Sequence, residues 1–299
     1  MSSDPTLSPP VLAPSVAELI DLMRLERLED NLFRGQSGDM GSPNVFGGQV
    51  LGQALMAAAS TVTAQPLHSA HSLHGYFLRP GDKKAPIVYD VDRIRDGQSF
   101  TTRRVVAIQH GQAIFHMSAS FHRFESGVEH QSDMPEVPPP ESLLPEHEYR
   151  RQLGHKLPPR VLKFLERDTP IDFRSVDPVD PVEPALHEPR NTMWMRTADK
   201  LPDDPVLHQA LLAYASDFSL LRVAMFPHGL SFMQPGMQSV SLDHALWFHR
   251  DFRFDDWLLY DADSPSLAAA RGFCRGQIFS RDGRLIASVA QEGLVRVRN

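Results

Sequence analysis

Two polar side chains stand where the surrounding pattern calls for apolar ones. In LIASVAQEG (285–293), Leu285, Ala287 and Val289 share one face of a strand, and period-two geometry puts Gln291 on that face too. In DPVLHQALLAYASDFSLL (204–221), Leu207, Ala210, Leu211, Tyr214, Phe218 and Leu221 form a helical apolar stripe. At about 100° per residue, Asp217 lies on the margin of that stripe. A carboxylate and a carboxamide are a proton acceptor and a two-way hydrogen-bonding group. Plainer readings compete with a chemical one. An Asp on a helix flank is usually solvated, and Gln291 could satisfy a backbone group or cap a strand end. An unpaired buried amide costs on the order of 1–3 kcal/mol, so Gln291 needs a partner.

The chain carries its own control. IVYDVD (87–92) matches LLYDAD (258–263), and QHGQAIFHMSASF (109–121) matches SRDGRLIASVAQEG, with Gly111 on Gly283. HSLHGYF (71–77) is a looser match to VSLDHALWF, and the offset shifts by a single residue between the two clearer matches. A repeat this long reads as two copies of one small domain, each a buried helix wrapped by an antiparallel sheet. In register, Gln291 falls on Ala119, within the face Ala113, Phe115, Met117, Ala119, Phe121. The first-copy helix, from Val50 to Thr63, contains no carboxylate. Both intrusions belong to the second copy alone.

Other chemical signatures are weak. The chain has no G-x-S-x-G, H-E-x-x-H, Walker A or G-x-G-x-x-G. His68, His71 and His74 are close in sequence, but alternation sends His71 and His74 to opposite faces, so no metal ligand set is readable. The same alternation separates Asp243 from His244. Cys274 has no motif around it and reads as a buried, inert thiol.

The bulk numbers bound the answer. The 299 residues suffice for one large domain or two ordinary ones, and 41% apolar with 22% charged is ordinary for a globular protein. A net charge of −7 argues against nucleic acid, whose phosphates are gripped by clustered Lys and Arg. One cysteine excludes an intrachain disulfide, which fits a reducing compartment. MSSDPTLSPPVLAP has neither a basic start nor an apolar run, so no signal peptide is expected. No stretch approaches the ~18 apolar residues of a membrane span. The expectation is a cytoplasmic globular protein.

Elements follow from pattern. Ser15 and Glu18 have capping-box spacing ahead of a short helix, and LERLEDNLF alternates like a strand. GGQVLGQALMAAAS (47–60) reads as a helix buried on most sides. A β-rich stretch follows, with hairpin turns at RPGD, RDGQ and QHGQ. From Glu125 to about Arg190 the chain is Pro-rich and polar, with PPRVLKFLERD as a short helix inside it. TMWMRTAD then reads as a strand, and Asp204 as the N-cap of the second-copy helix. Strands over MQSVSLDHALWFH, DDWLLYDADSPS and ARGFCRGQIFSRDGRLIASVAQEGLVRV complete the chain. The expected division is residues 1–125 and 191–299 as the two copies, with 126–190 as connector.

VFGGQVLGQAL, HSLHGYFLRPGD, YDVDRIRDGQSFTTRRVVAIQ, YASDFSLL, SLDHALWFH and ARGFCRGQIFSRDGRLIASVAQEG together resemble the type II acyl-CoA thioesterases, the TesB family. The resemblance runs from about Leu25 to the last residues. It implies an α+β double hotdog, a homo-oligomer, and hydrolysis of acyl-CoA to acid and CoA without a covalent intermediate or cofactor. By motif it implies a site of Asp217, Ser241 and Gln291, with Ser241 standing where Thr is common in relatives. Asp217 is then the general base, and Ser241 and Gln291 hold the water and align the carboxylate. Gly47 and Gly48 at the first-copy helix start are candidates for oxyanion donors, against tight helix packing as the plainer reading. Arg93, Arg95, Arg103 and Arg104, with Arg271 and Arg275, are the local basic supply for the CoA phosphates. Two alternatives are a non-catalytic acyl-CoA binder and a hotdog dehydratase. The dehydratase needs a His with its carboxylate, and no His lies near Asp217 on its helix face.

Overall fold

The computed structural model describes residues 14–64, 67–154 and 169–298. The first copy contains α2 (Gly47–Ala59) and four strands, β3 (His68–Phe77), β4 (Ile87–Asp96), β5 (Phe100–Gln109) and β6 (Gln112–Arg123). Ahead of it come α1 (Pro14–Met23), β1 (Glu26–Glu29) and β2 (Leu32–Gly35). The second copy contains β8 (Arg190–Thr197), α4 (Pro205–Ser216), β9 (Met237–Ser241), β10 (Asp243–Phe248), β11 (Leu258–Ala268), β12 (Arg271–Ser280) and β13 (Leu285–Val297). With β7 (Ile171–Ser175) from the connector, all the described strands join one sheet in the order β1-β2-β4-β5-β6-β3-β10-β13-β12-β11-β8-β7, with β9 beside β13. This is the α+β double hotdog that the resemblance implies, built from the two helix-and-sheet copies that the repeat predicts.

The copies are fused at the sheet centre, where β3 runs antiparallel to β10 with Leu73 opposite Leu246 and Gly75 opposite His244. Across the concave side, α2 packs antiparallel on α4. Small residues make that approach possible: a Cβ on Gly52 would lie 2.8 Å from the Ala210 carbonyl oxygen, and one on Gly48 would collide with the Tyr214 carbonyl. The sheet, α1 and α2 bury α4 from Leu207 to Ser216 on every side. Together with the 3₁₀ segment Leu221–His228 it is long and apolar enough to cross a membrane, but most of it is buried inside the fold, as a core helix is.

Several elements depart from the sequence reading. Ser15 lies inside α1 and does not precede it. LERLEDNLF is a hairpin of β1 and β2, because Asp30 and Asn31 turn the chain. RDGQ and QHGQ are hairpin turns, but RPGD is not: β3 pairs with β6 and β10, so the chain after it crosses to β4. MQSVSLDHALWFH breaks at Leu242 into β9 and β10. The Pro-rich connector contains α3 (Glu146–Gln152) and a strand, β7 (Ile171–Ser175), which pairs with β8. PPRVLKFLERD lies outside the described residues.

A fragment of residues 1–125 would expose the β3 edge that β10 covers and the α2 face that α4 covers. It is expected to aggregate or remain partly unfolded in size-exclusion and thermal-melt experiments. A monodisperse fragment with a cooperative melt would show instead that the copies fold independently.

Candidate active site

The α4 helix starts at Asp204, whose carboxylate accepts from the amides of Val206 (3.0 Å) and Leu207 (3.4 Å), with Pro205 in the first turn. It ends at Ser216, and Asp217 is its C-cap. The Asp217 side chain is only 4% exposed, so it is not a solvated flank. It meets the N-terminus of α2, where the capping residue, Phe46, supplies no side-chain bond. The Gly48 amide donates to Asp217 instead, and a Cβ on Gly47 would lie 2.8 Å from Asp217 Oδ2. Buried amides anchor this helix start. Gln49 Oε1 accepts from Gly38 N and its Nε2 donates to Gln36 O, each at 2.9 Å. Gln53 Nε2 donates to Leu22 O at 2.6 Å, and its Oε1 accepts from the Tyr89 hydroxyl at 2.7 Å.

Gln291 reaches the same carboxylate from β13. It is 1% exposed and pairs across the sheet with Cys274. Its Nε2 donates to Asp217 Oδ1 at 3.1 Å and to Ser241 Oγ at 2.6 Å, while Ser241 Oγ donates to Asp217 Oδ1 at 3.4 Å. Ser241 is the last residue of β9 and lies opposite Gly293. The strand break at Leu242 brings both Ser241 and His244 towards Gln291. The amide therefore has side-chain partners in the core, not a backbone group at a strand end. The structure brings Asp217, Ser241, Gln291, Gly47 and Gly48 together.

Sequence reasoning missed His244. Its Nδ1 lies 2.9 Å from Gln291 Oε1 and its Nε2 2.9 Å from Ser216 Oγ, and it is fully buried. It stands 3.9 Å from Asp217 Oδ1, approaching from the sheet and not along the helix. The statement that no His is near Asp217 holds only for the helix face. Its separation from Asp243 is as expected, since Asp243 turns away to accept from the Glu292 amide at 2.6 Å.

Burial dominates the electrostatics. It pushes the Asp217 carboxyl up to about 7, against the opposing bonds from Gln291, Gly48 and Ser241. It also pushes His244 down to about 4, so the imidazole is neutral near pH 7 and makes no ion pair with Asp217. A carboxylate that titrates near neutrality is suited to taking a proton from water.

Arg103 needs correction as a phosphate ligand. It is fully buried, with its guanidinium bonded to Thr61 Oγ1 (2.7 Å), Thr61 O (3.1 Å) and Asp96 (2.5 Å). It lies on the inward face of β5 while its neighbour Arg104 points out. Arg104, Arg271 and Arg275 are exposed and paired with Asp92, Glu292 and Asp263. Exposed pairs of this kind hold weakly, and a phosphate could displace them. Arg93 is also exposed and bonds Asn31, and Arg95 is exposed. Cys274 is buried, which pushes its thiol up to about 11. A bulge between Ala70 and Ser72 overturns the separation of His71 from His74. Both face outward, His71 onto Ser120 and His74 onto Trp247. Among the described residues no group of three or more His, Cys, Asp or Glu is placed to hold a metal ion.

The end of α4 also borders a cavity of about 310 Å³. Leu19, Leu22, Met40, Ile171, Phe173 and Phe218 form its apolar wall.

Family models meet the chain on both copies. Residues 36–122 match the acyl-CoA thioesterase N-terminal domain, and residues 180–294 match acyl-CoA thioesterase. Acyl-CoA thioesterase 2 of Haemophilus influenzae is 40% identical over 278 residues, covering 93% of this chain and 96% of that one. Acyl-coenzyme A thioesterase 8 of Mus musculus is 40% identical over 287 residues, covering 93% and 88%. The solved acyl-CoA thioesterase II TesB2 of Mycobacterium marinum superposes with a TM-score of 0.76 at 43% identity, covering 93% of this chain and 98% of that one. A hot dog protein of Alicyclobacillus acidocaldarius superposes at 0.74 with 22% identity, a likeness of fold alone. With two family models in tandem and full-length relatives at 40% identity, the chain belongs to the type II acyl-CoA thioesterases, thioester hydrolases on the double-hotdog fold.

Proposed function

We propose that the protein hydrolyses acyl-CoA with a water activated directly by Asp217. The observation that carries this reading is a buried carboxyl raised to about 7 and bonded to Gln291, Ser241 and the start of α2. The Asp217 carboxylate takes a proton from water as the water oxygen attacks the thioester carbonyl. The C–S bond then breaks, releasing the acid and CoA as thiolate, which is protonated. A thioester is electrophilic enough to need no Ser or Cys nucleophile. Ser241 and Gln291 hold the water and align the carboxylate. Because the Gly48 amide is committed to Asp217, the Gly47 amide is the proposed oxyanion donor at the α2 N-terminus. The acyl chain enters the cavity beside Phe218. A mere acyl-CoA binder gains nothing from a desolvated carboxylate. A dehydratase reading is disfavoured because both His244 nitrogens are already bonded, to Gln291 and to Ser216.

Gln291→Ala copies the first repeat's Ala119 and should fold. It is expected to lose about 10²–10³ in kcat with little change in KM, the usual effect of removing one positioned hydrogen-bonding group. Asp217→Asn should lose at least as much, and the double variant far less than the product of the two losses, since both act on one water. The wild-type kcat should rise with pH through about 7 as Asp217 ionises. Normal turnover by a well-folded Gln291→Ala enzyme would remove Gln291 from the mechanism.

Stability should move the other way. The folded Asp217 carboxyl titrates near 7 against an ordinary value of 3.8, so folding favours its protonated form. Its contribution to stability is complete below about pH 3.8 and lost as pH rises through 7, at most roughly 4 kcal/mol. Asp217→Asn should therefore melt above the wild type at pH 8.5, with the gap closing towards pH 5. Equal gaps at both pH values would mean that the buried charge is not what destabilises the wild type.

If the cavity holds the acyl chain, Leu22→Trp should shorten the preferred substrate. Across a panel of acyl-CoA lengths, kcat/KM should fall for long chains and hold for short ones. A uniform loss or none would place the chain elsewhere.

A further inference from the structure

We propose that His244 is a positioning residue for hydrolysis, fixing which end of the Gln291 amide faces Asp217. The proposal rests on the roles given above to Asp217 and Gln291.

An amide is nearly symmetric in shape but not in chemistry, since Oε1 only accepts and Nε2 only donates. Turned over, Gln291 would set a carbonyl oxygen against the Asp217 carboxylate, where an N–H now donates at 3.1 Å. The bond that holds the productive orientation is at the amide's other end. His244 Nδ1 lies 2.9 Å from Gln291 Oε1, and because that oxygen cannot donate, Nδ1 must carry the hydrogen. Nε2 is then a bare acceptor, and the Ser216 hydroxyl, which has both Nε2 and the Ala213 carbonyl oxygen at 2.9 Å, must turn its one hydrogen to Nε2. Ser216 is the last residue of α4 and directly precedes Asp217, and its carbonyl accepts from the Tyr260 hydroxyl at 3.2 Å. Ser216, His244, Gln291 and Asp217 thus form a run of bonded side chains from sheet to helix end, closed through the backbone between Ser216 and Asp217. The groups facing the imidazole are Ser216, Gln291 and, at 3.9 Å, Asp217. Burial keeps His244 neutral through the range where Asp217 titrates.

The first copy supplies an independent comparison. There Ala119 pairs with Leu73, and the register of β10 on β13 carries His244 to the Leu73 position, opposite Gln291. Both Leu73 and His244 are fully buried. A site that only needs filling takes Leu, and imidazole and carboxamide occur together in the one copy that has Asp217.

The test uses the full-length enzyme. His244→Leu, which copies the first repeat, should lower kcat about 10–10²-fold while KM stays within about threefold, the pattern of a group acting on the chemical step. His244→Asn, which can donate from near the Nδ1 position, should recover most of that loss. In a Gln291→Ala background, His244→Leu should cost nothing further. ¹⁵N NMR of the wild type should show a neutral imidazole protonated on Nδ1 from pH 5 to 9, a readout independent of any variant's folding. The proposal fails if His244→Leu keeps kcat within twofold, if its loss is undiminished in the Gln291→Ala background, or if the imidazole carries its proton on Nε2. If Gln291→Ala itself turns over normally, the role of Gln291 fails. A slow Gln291→Ala beside a fast His244→Leu refutes His244 alone.

Discussion

A carboxylate kept out of water where the C-terminus of one helix lies beside the N-terminus of another constrains everything around it. Asp217 caps the C-terminus of α4, the end at which the helix dipole disfavours an anion, and bonds the N-terminal amide of α2, the end that favours one. Three hydrogen bonds oppose its desolvation, and desolvation still prevails. The result is a carboxyl poised near neutrality at the expense of stability, the trade that active sites commonly make. Gly48 and Gly52 let the helices approach closely enough for it, and Gln49 and Gln53 hold the helix start in place.

Why one copy carries the site follows from how each helix begins. Phe46 gives α2 no side-chain cap, so its first amides remain available to an anion. At the corresponding end of α4, Asp204 accepts from two amides and Pro205 has none to offer. Of these two helix starts, that of α2 alone has amides left over for the Asp217 carboxylate and for the proposed oxyanion. The fusion at β3 and β10 makes both copies contribute to one site, the first through its helix start and the second through its side chains.

Much of this was legible because hydrophobic period and repeat register are local signals. The duplication, the Asp204 cap, the RDGQ and QHGQ turns, and Gln291 against Ala119 could all be read from single segments. What failed depended on three-dimensional departures from period. Asp217 seemed marginal because an apolar stripe implies a wet face, and α4 has none. Leu242 interrupts a strand that hydropathy joins, which hides how Ser241 and His244 converge on Gln291. His244 was compared with its neighbour Asp243, whereas its partner lies on another strand. For His71 the bulge at β3 undid the alternation.

Arg103 shows the opposite error, in which a readable signal was set aside. Thr101, Arg103, Val105 and Ala107 alternate onto the buried face of β5, so the pattern itself directs this guanidinium inward. It stands opposite Ala119 as Cys274 stands opposite Gln291. From there it bonds the Thr61 hydroxyl and carbonyl just beyond the end of α2, much as Gln291 bonds Asp217 just beyond the end of α4. A cation suits a helix C-terminus, whereas an anion there must be supported by the neighbouring helix. The first copy has therefore filled the place that corresponds to the Asp217–Gln291 pair with a paired cation, and its small partner Ala119 leaves the room. The same pair of positions, read as Arg with Ala or as Cys with Gln, separates a core closed by an ion pair from one that holds a desolvated carboxyl.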